Sequence, residues 1–320
     1  MEYLILLVSL VGIILGADNL VSGSVAMARR FGVSDFVIGA LIVGIGTSMP
    51  EFVVSTYGAL TGSVDVAVGN VVGSNIFNVL GILGITALIC PIAVTRSNMW
   101  FEMPFCIAVS VLVTLLSFGF VGDGQVSLGR LDGALLFALF ALFIYISFVR
   151  DRRSGATNVE SVAESAPHMK MWQALLRVVG GLGVLIASCH FFVEEAVAIA
   201  TAWGLDEAYI SITLIACGTS LPELAASLVA AAKRNTQLAL GNIVGSNIVN
   251  ITFILGIGSL ITKLGGGNIT IIDYAVMIVA ALLPMILGAS GKISRVSGAL
   301  MLAGFVLYNI YLIGTQNINL

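Results

Sequence analysis

The chain has 320 residues, 58% of them hydrophobic and only 10% charged, with a mean hydropathy of +1.08. A formal net charge of −3 leaves no basic surface of the kind that binds nucleic acid. Several apolar stretches exceed the roughly 18 residues that a spanning helix requires, so an ordinary water-soluble domain is excluded and a polytopic membrane protein embedded in the lipid bilayer is expected.

The first apolar run starts at Tyr3, and Glu2 is its only flanking charge. A secretory leader would open with a basic region, so this run is expected to remain as a permanent helix. In chain order, apolar runs and the polar breaks between them predict about ten helices: 3–28, 35–60, 65–90, 100–120, 128–149, 172–200, 207–232, 237–262, 270–289 and 294–314. The hydrophilic stretch from Arg150 to Lys170 reads as a solvated linker, too short for a folded regulatory domain. Cys90, Cys106, Cys189 and Cys217 are scattered and read as small core residues.

With the N-terminus placed outside, twelve of the fourteen basic residues fall in inside loops: Arg29, Arg30, Arg96, Arg150, Arg152, Arg153, Lys170, Arg177, Lys233, Arg234, Lys292 and Arg295. Only Arg130 and Lys263 fall outside. By the positive-inside rule, both termini are expected to face outward and the linker to be cytoplasmic. With no targeting extension or large regulatory loop in view, a prokaryotic inner (plasma) membrane is the expected location.

Shifting the chain by 172 residues lays its second half on its first. Gly46-Thr47-Ser48-Met49-Pro50-Glu51 meets Gly218-Thr219-Ser220-Leu221-Pro222-Glu223, and the ten residues from Gly69 to Asn78 meet Gly241 to Asn250 with eight identities. Five helices per half force the second copy to enter the membrane from the opposite side, so the repeats are inverted. The expected organisation is therefore an all-α membrane protein with two inverted-topology five-helix repeats, 1–149 and 172–320, joined by a linker over 150–171.

The repeated motifs carry the chemistry. A carboxylate at bilayer depth costs about 2.5–3.5 kcal/mol on insertion scales, so a chain that keeps one there needs something to compensate it. Pro50 and Pro222 lack an N–H and open the helix one residue before each glutamate. Irregular backbone is tolerated at that depth only inside protein or beside a wet cavity. Thr47, Ser48 and Glu51 can share one helix face, as can Ser74, Asn75 and Asn78. The second half repeats this with Thr219, Ser220 and Glu223, then Ser246, Asn247 and Asn250. Two glutamates are neutralised by one Ca²⁺ or two Na⁺. An oxygen-only donor set suits calcium, while Mg²⁺ sheds water reluctantly and Zn²⁺ or Cu²⁺ would want His or Cys.

The paired GTSxPE and GNxVGSNIxN motifs resemble the alpha repeats of the cation/Ca²⁺ exchanger superfamily, in its sodium/calcium exchanger branch, and the resemblance covers nearly the whole chain. It implies ten helices, Na⁺-driven Ca²⁺ antiport without a bound cofactor, and movement of the first and sixth helices past a fixed core. It also implies ion ligands at Thr47, Ser48, Glu51, Ser74, Asn78, Thr219, Ser220, Glu223, Ser246 and Asn250, with backbone carbonyls at Gly44 and Ala216. Some members have Asp where this chain has Asn250, so the site here has one fewer potential charge, which bears on the number of Na⁺ carried and on any K⁺ requirement.

An alternative with the same fold is Ca²⁺/H⁺ or K⁺-dependent antiport. An intramembrane hydrolase would need a general base or a His/Cys metal set near its nucleophile, and both histidines lie far from the motifs in sequence. A passive channel fits duplicate anionic sites in broken helices less well than a transporter does. Asp18 and its shifted partner His190 are expected to make polar contacts near helix ends. Glu194 and Glu195 are expected in a wet vestibule or at the interface, and His168 in solvent.

Overall fold

The computed structural model describes residues 2–119, 127–153, 169–202, 218–265 and 269–318. Ala216, Cys217, His168 and most of the expected linker lie outside the described residues.

The first crossing is α1 (Glu2–Phe31). The second is broken into α2 (Asp35–Thr47) and α3 (Met49–Thr61), which meet at 48°. The break falls on Ser48, at φ −80° and ψ 9°, with Pro50 in the first turn of α3, where a proline is tolerated because the missing N–H would be unpaired anyway. Next come α4 (Val64–Ile76, a π-helical turn Phe77–Leu83, then Gly84–Ile89), α5 (Asn98–Ser117) and α6 (Arg130–Arg153). The second half holds α7 (Met171–Ala202), α8 (Leu221–Ala232), α9 (Thr236–Ile261), α10 (Ile271–Leu287) and α11 (Arg295–Ile318). Ser220, at φ −89° and ψ 7° just before α8, repeats the conformation of Ser48. A π-helical turn over Asn250–Ile254 inside α9 repeats the one that starts at Phe77.

The expected start of the seventh helix at residue 207 lies outside the described residues. The described helix ends agree with the hydropathy pattern to within a few residues, except where polar residues extend a helix. Thus α6 continues through Arg153 into the expected linker, and α1 continues to Phe31. Apolar composition marks the membrane edge, whereas the helix itself stops only where its backbone bonding stops.

Among the described residues, four two-residue strands tie the halves together. Antiparallel pairs join β1 (Ile92–Ala93) to β4 (Lys292–Ile293), and β2 (Ser127–Leu128) to β3 (Leu264–Gly265). The 172-residue shift carries β1 onto β3, so each small sheet joins one half to the other and the two sheets exchange roles under the pseudosymmetry.

At the centre stand α4 and α9, with 72% and 83% of their most apolar windows buried, against 28% for α1 and 22% for α7. Glycine brings α9 onto α2: a Cβ on Gly245 would lie 2.4 Å from Ala40 Cα, and one on Gly241 would lie 2.2 Å from the Phe36 carbonyl. Such small-xxx-small spacing lets backbones touch, and here it draws the Ser and Asn oxygens of α9 up to the first helix break.

Candidate cation site

The break at Ser48 meets the start of α8 at Ser220, and each is bonded to the other half. Ser48 Oγ donates to Glu223 Oε1 at 2.9 Å, and Ser220 Oγ donates to Glu51 Oε1 at 2.9 Å. Both glutamates and both serines are wholly buried. A proline and a glutamate three residues inside a helix start place each carboxylate at the break, where the first-turn N–H groups supply a positive dipole end.

A ring of amides holds the breaks in position. Asn70 Nδ2 donates to the Glu51 carbonyl at 3.2 Å and to Ser55 Oγ at 3.0 Å. Its shifted counterpart Asn242 Nδ2 donates to the Glu223 carbonyl at 3.1 Å and to Ser227 Oγ at 2.9 Å. In return Thr47 Oγ1 donates to Asn242 Oδ1 at 3.2 Å, and Thr219 Oγ1 to Asn70 Oδ1 at 3.4 Å. Ser246 Oγ reaches the Gly44 carbonyl at 3.3 Å, and Ser220 Oγ lies 3.2 Å from Ser74 Oγ.

A second network fixes which way the central amides point. Asn75 and Asn247 each donate to the other's backbone carbonyl at 3.2 Å. Their Oδ1 atoms then accept from Asn250 Nδ2 at 3.1 Å and Asn78 Nδ2 at 3.0 Å. With both Nδ2 groups so engaged, Asn78 and Asn250 present their oxygens elsewhere. Asn78 Oδ1, Asn250 Oδ1, Glu51 Oε2 and Glu223 Oε2 are all buried without a hydrogen-bond partner among the described residues. Asn78 lies in the π-helical turn of α4, and Asn250 opens that of α9; such widened turns often occur at functional sites.

The structure thus links Gly44, Thr47, Ser48, Glu51, Ser74, Thr219, Ser220, Glu223 and Ser246 through the first set of hydrogen bonds and Asn78 with Asn250 through the second, while Ala216 falls outside the described residues. Helical spacing alone did not single out Asn70, Asn242, Ser55 or Ser227, which hold the breaks rather than present free oxygens. Their signal was present in the shift, since each is identical to its counterpart. Asp18 pairs with Lys233 at 2.7 Å, while His190 lies 3.8 Å from Glu194 in an exposed position on α7. Among the described residues no group of three His, Cys, Asp or Glu side chains comes together, so the donors at the breaks are hard oxygens.

Inverted five-helix repeats in which the broken helix of one half meets a helix start of the other in a buried, oxygen-lined site define a secondary ion transporter of the antiporter class, not an enzyme. The description of the sodium/calcium exchanger protein family matches residues 1–149 and 173–314, and the chain belongs to that family. It is 40% identical over 314 residues to the putative antiporter CaxA of Alkalimonas amylolytica, covering 96% of this chain and 97% of that one. It is 32% identical to the sodium/calcium exchanger MaX1 of Methanosarcina acetivorans, covering 97% and 98%. The solved structure of the sodium-calcium exchanger NCX_Mj, soaked with zero Na⁺ and Ca²⁺, aligns with a TM-score of 0.83 at 30% identity, covering 97% of this chain and 98% of that one.

Proposed function

We propose that this chain exchanges Ca²⁺ for Na⁺ by presenting one mid-membrane site alternately to the two faces, with Glu51 and Glu223 as carboxylates shared by the competing ions. The observation that carries this reading is the set of four buried, unpartnered oxygens on Glu51, Glu223, Asn78 and Asn250. Each unsatisfied buried acceptor costs about 1–3 kcal/mol, and these four, two of them carboxyl oxygens, would be compensated together by a cation. Calcium takes six to eight oxygens at about 2.3–2.6 Å. Thr47, Thr219, Ser48 and Ser220 with the Gly44 carbonyl would complete such a shell. Ser74 and Ser246 would help form flanking Na⁺ sites, and Ala216 would offer a carbonyl as Gly44 does. Sodium coupling is supported by this abundance of neutral hydroxyl oxygens and by the names of the relatives MaX1 and NCX_Mj.

The two repeats, 1–149 and 172–320, are proposed as the functional halves. Both termini then face outward and the linker 150–171 lies in the cytoplasm of a prokaryotic cell, as the basic residues indicate.

The test is Ca²⁺ uptake into proteoliposomes, driven in turn by a Na⁺ gradient and by a pH gradient, with and without K⁺. Uptake is expected to follow Na⁺ and to need no K⁺. Glu51→Gln or Glu223→Gln is expected to abolish it while the protein stays monodisperse in detergent. Uptake that follows the pH gradient and ignores Na⁺, or parent rates in either variant, overturns the proposal.

A further inference from the structure

The shift that superposes the two halves of the site also reveals where the halves differ. Under it α1 corresponds to α7, and Thr61 at the end of α3 corresponds to Lys233, the residue after α8. Lys233 Nζ lies 2.7 Å from Asp18 Oδ1, donates to Ser22 Oγ at 2.7 Å and reaches the Asp18 carbonyl at 3.3 Å. The counterparts of Asp18 and Ser22 are His190 and Glu194, and these face each other within α7 at 3.8 Å. Thr61 donates back into its own helix, to the Tyr57 and Gly58 carbonyls at 2.9 and 3.3 Å. Polar bonds therefore cross from α1 to the end of α8 and have no equivalent between α7 and α3 among the described residues.

Packing shows the same asymmetry. Val21 and Val25 of α1 are buried in one apolar cluster with Ala226 and Ala230 of α8. By contrast, α7 makes no comparable contact with α3 among the described residues. This α1–α8 contact lies toward the helix ends that carry Lys233, Arg29 and Arg30, which the positive-inside rule makes cytoplasmic.

The helices α1 and α7 form a pair packed chiefly on each other. They clasp each other closely, since a Cβ on Gly16 would lie 2.6 Å from Leu185 N and one on Gly181 would lie 2.7 Å from Leu20 N. Yet little of either helix is buried compared with α4 and α9.

We propose that Asp18 and Lys233 form a latch that holds α1 against α8 and so sets the balance between the two access states. The proposal rests on the antiport reading and on the orientation given by the basic residues. Neither side chain is bonded to the site oxygens, so both are positioning residues that act through α1. The Lys233 and Asp18 side chains are 36% and 49% exposed, so the pair is worth about a fivefold bias, or about 1 kcal/mol.

The test introduces Ala230→Cys, at a wholly buried position on the α1–α8 face, into a background whose native cysteines are replaced. A membrane-impermeant maleimide is added to the cytoplasmic face of vesicles in buffer free of Na⁺ and Ca²⁺. Asp18→Asn and Lys233→Gln are each expected to speed labelling about fivefold. Ser22→Ala, which removes one acceptor and no charge, is expected to speed it about twofold and serves if a charge variant aggregates. Exchanging the charges, Asp18→Lys with Lys233→Asp, is expected to bring the rate back to within about twofold of the parent. Unchanged labelling in the folded variants, or a charge exchange that labels as fast as the single variants, overturns the latch. Because labelling is read without ions, a wrong antiport reading shows itself separately, as parent protein that takes up no Ca²⁺ under a Na⁺ gradient.

Discussion

Gly245→Ala is the sharpest probe of how the fold builds the site. The added Cβ would lie 2.4 Å from Ala40 Cα and 2.7 Å from both Ala40 Cβ and the Ala40 carbonyl. Carbon atoms sit comfortably at about 3.5–4.0 Å, so α9 and α2 must part by about 1 Å, because backbone cannot rotate away as a side-chain tip can. Overpacking of this kind costs about 1–3 kcal/mol. The same displacement carries two bonds that span α2 and α9 past hydrogen-bonding range: Thr47 to Asn242, now 3.2 Å, and Ser246 to the Gly44 carbonyl, now 3.3 Å. Each is worth about 1 kcal/mol, so the total loss is about 3–5 kcal/mol. At about 2 °C per kcal/mol for a chain this long, the melting temperature falls by about 6–10 °C. Gly304→Ala is the control, since its Cβ would meet only Leu80 at an ordinary 4.0 Å, and alanine favours the helix by about 1 kcal/mol. Thermal unfolding in detergent and Ca²⁺ uptake in proteoliposomes are measured on both variants. Equal melting temperatures and equal uptake would refute the account of α9 pressed onto α2 by glycine.

Three further outcomes are expected. Ser48→Ala and Ser220→Ala each remove one hydroxyl from a buried carboxyl group, a bond worth about 1.5–3 kcal/mol. Calcium affinity by isothermal titration should change about equally in the two, and a large change in one alone would contradict the paired geometry. Asn250→Asp replaces the Nδ2 that reaches Asn75 Oδ1 at 3.1 Å with an oxygen, setting acceptor against acceptor at a cost of about 1–3 kcal/mol. The ion-free variant should melt lower than the parent and gain more from added Ca²⁺; an identical Ca²⁺ response in both would count against Asn250 facing the ion. Finally, Ca²⁺ at a hundred times its dissociation constant should stabilise the parent by about 2.7 kcal/mol, with Na⁺ reducing the gain and Mg²⁺ unable to replace Ca²⁺. Equal stabilisation by Mg²⁺ would point to a nonspecific surface effect.

Much of this protein was legible before any coordinates, because the bilayer leaves few choices. Apolar runs of spanning length must be helices, since lipid offers the backbone no partner. A repeated Pro-Glu at matching depth announces an internal polar site. Two copies separated by an odd number of crossings must be inverted. Those constraints act along the chain and need only local residues: Pro50 and Pro222 for the breaks, Glu51 and Glu223 for the charge, Arg and Lys for the expected orientation.

Contacts between the halves were decided only in three dimensions. Spacing put Ser48 and Glu51 on one helix face, but Ser48 donates to Glu223 and Ser220 to Glu51, a crossing that appears only when the breaks are set face to face. Asn75 and Asn78 share a stripe in sequence, yet the reciprocal bonding of Asn75 with Asn247 turns the Asn78 and Asn250 oxygens free. The repeated motifs also conceal that α1 is fastened to α8 while α7 has no matching bond to α3 among the described residues. Hydropathy and motif spacing report the surroundings of each segment separately, whereas hydrogen bonds and ion pairs between distant segments depend on how the helices are finally packed.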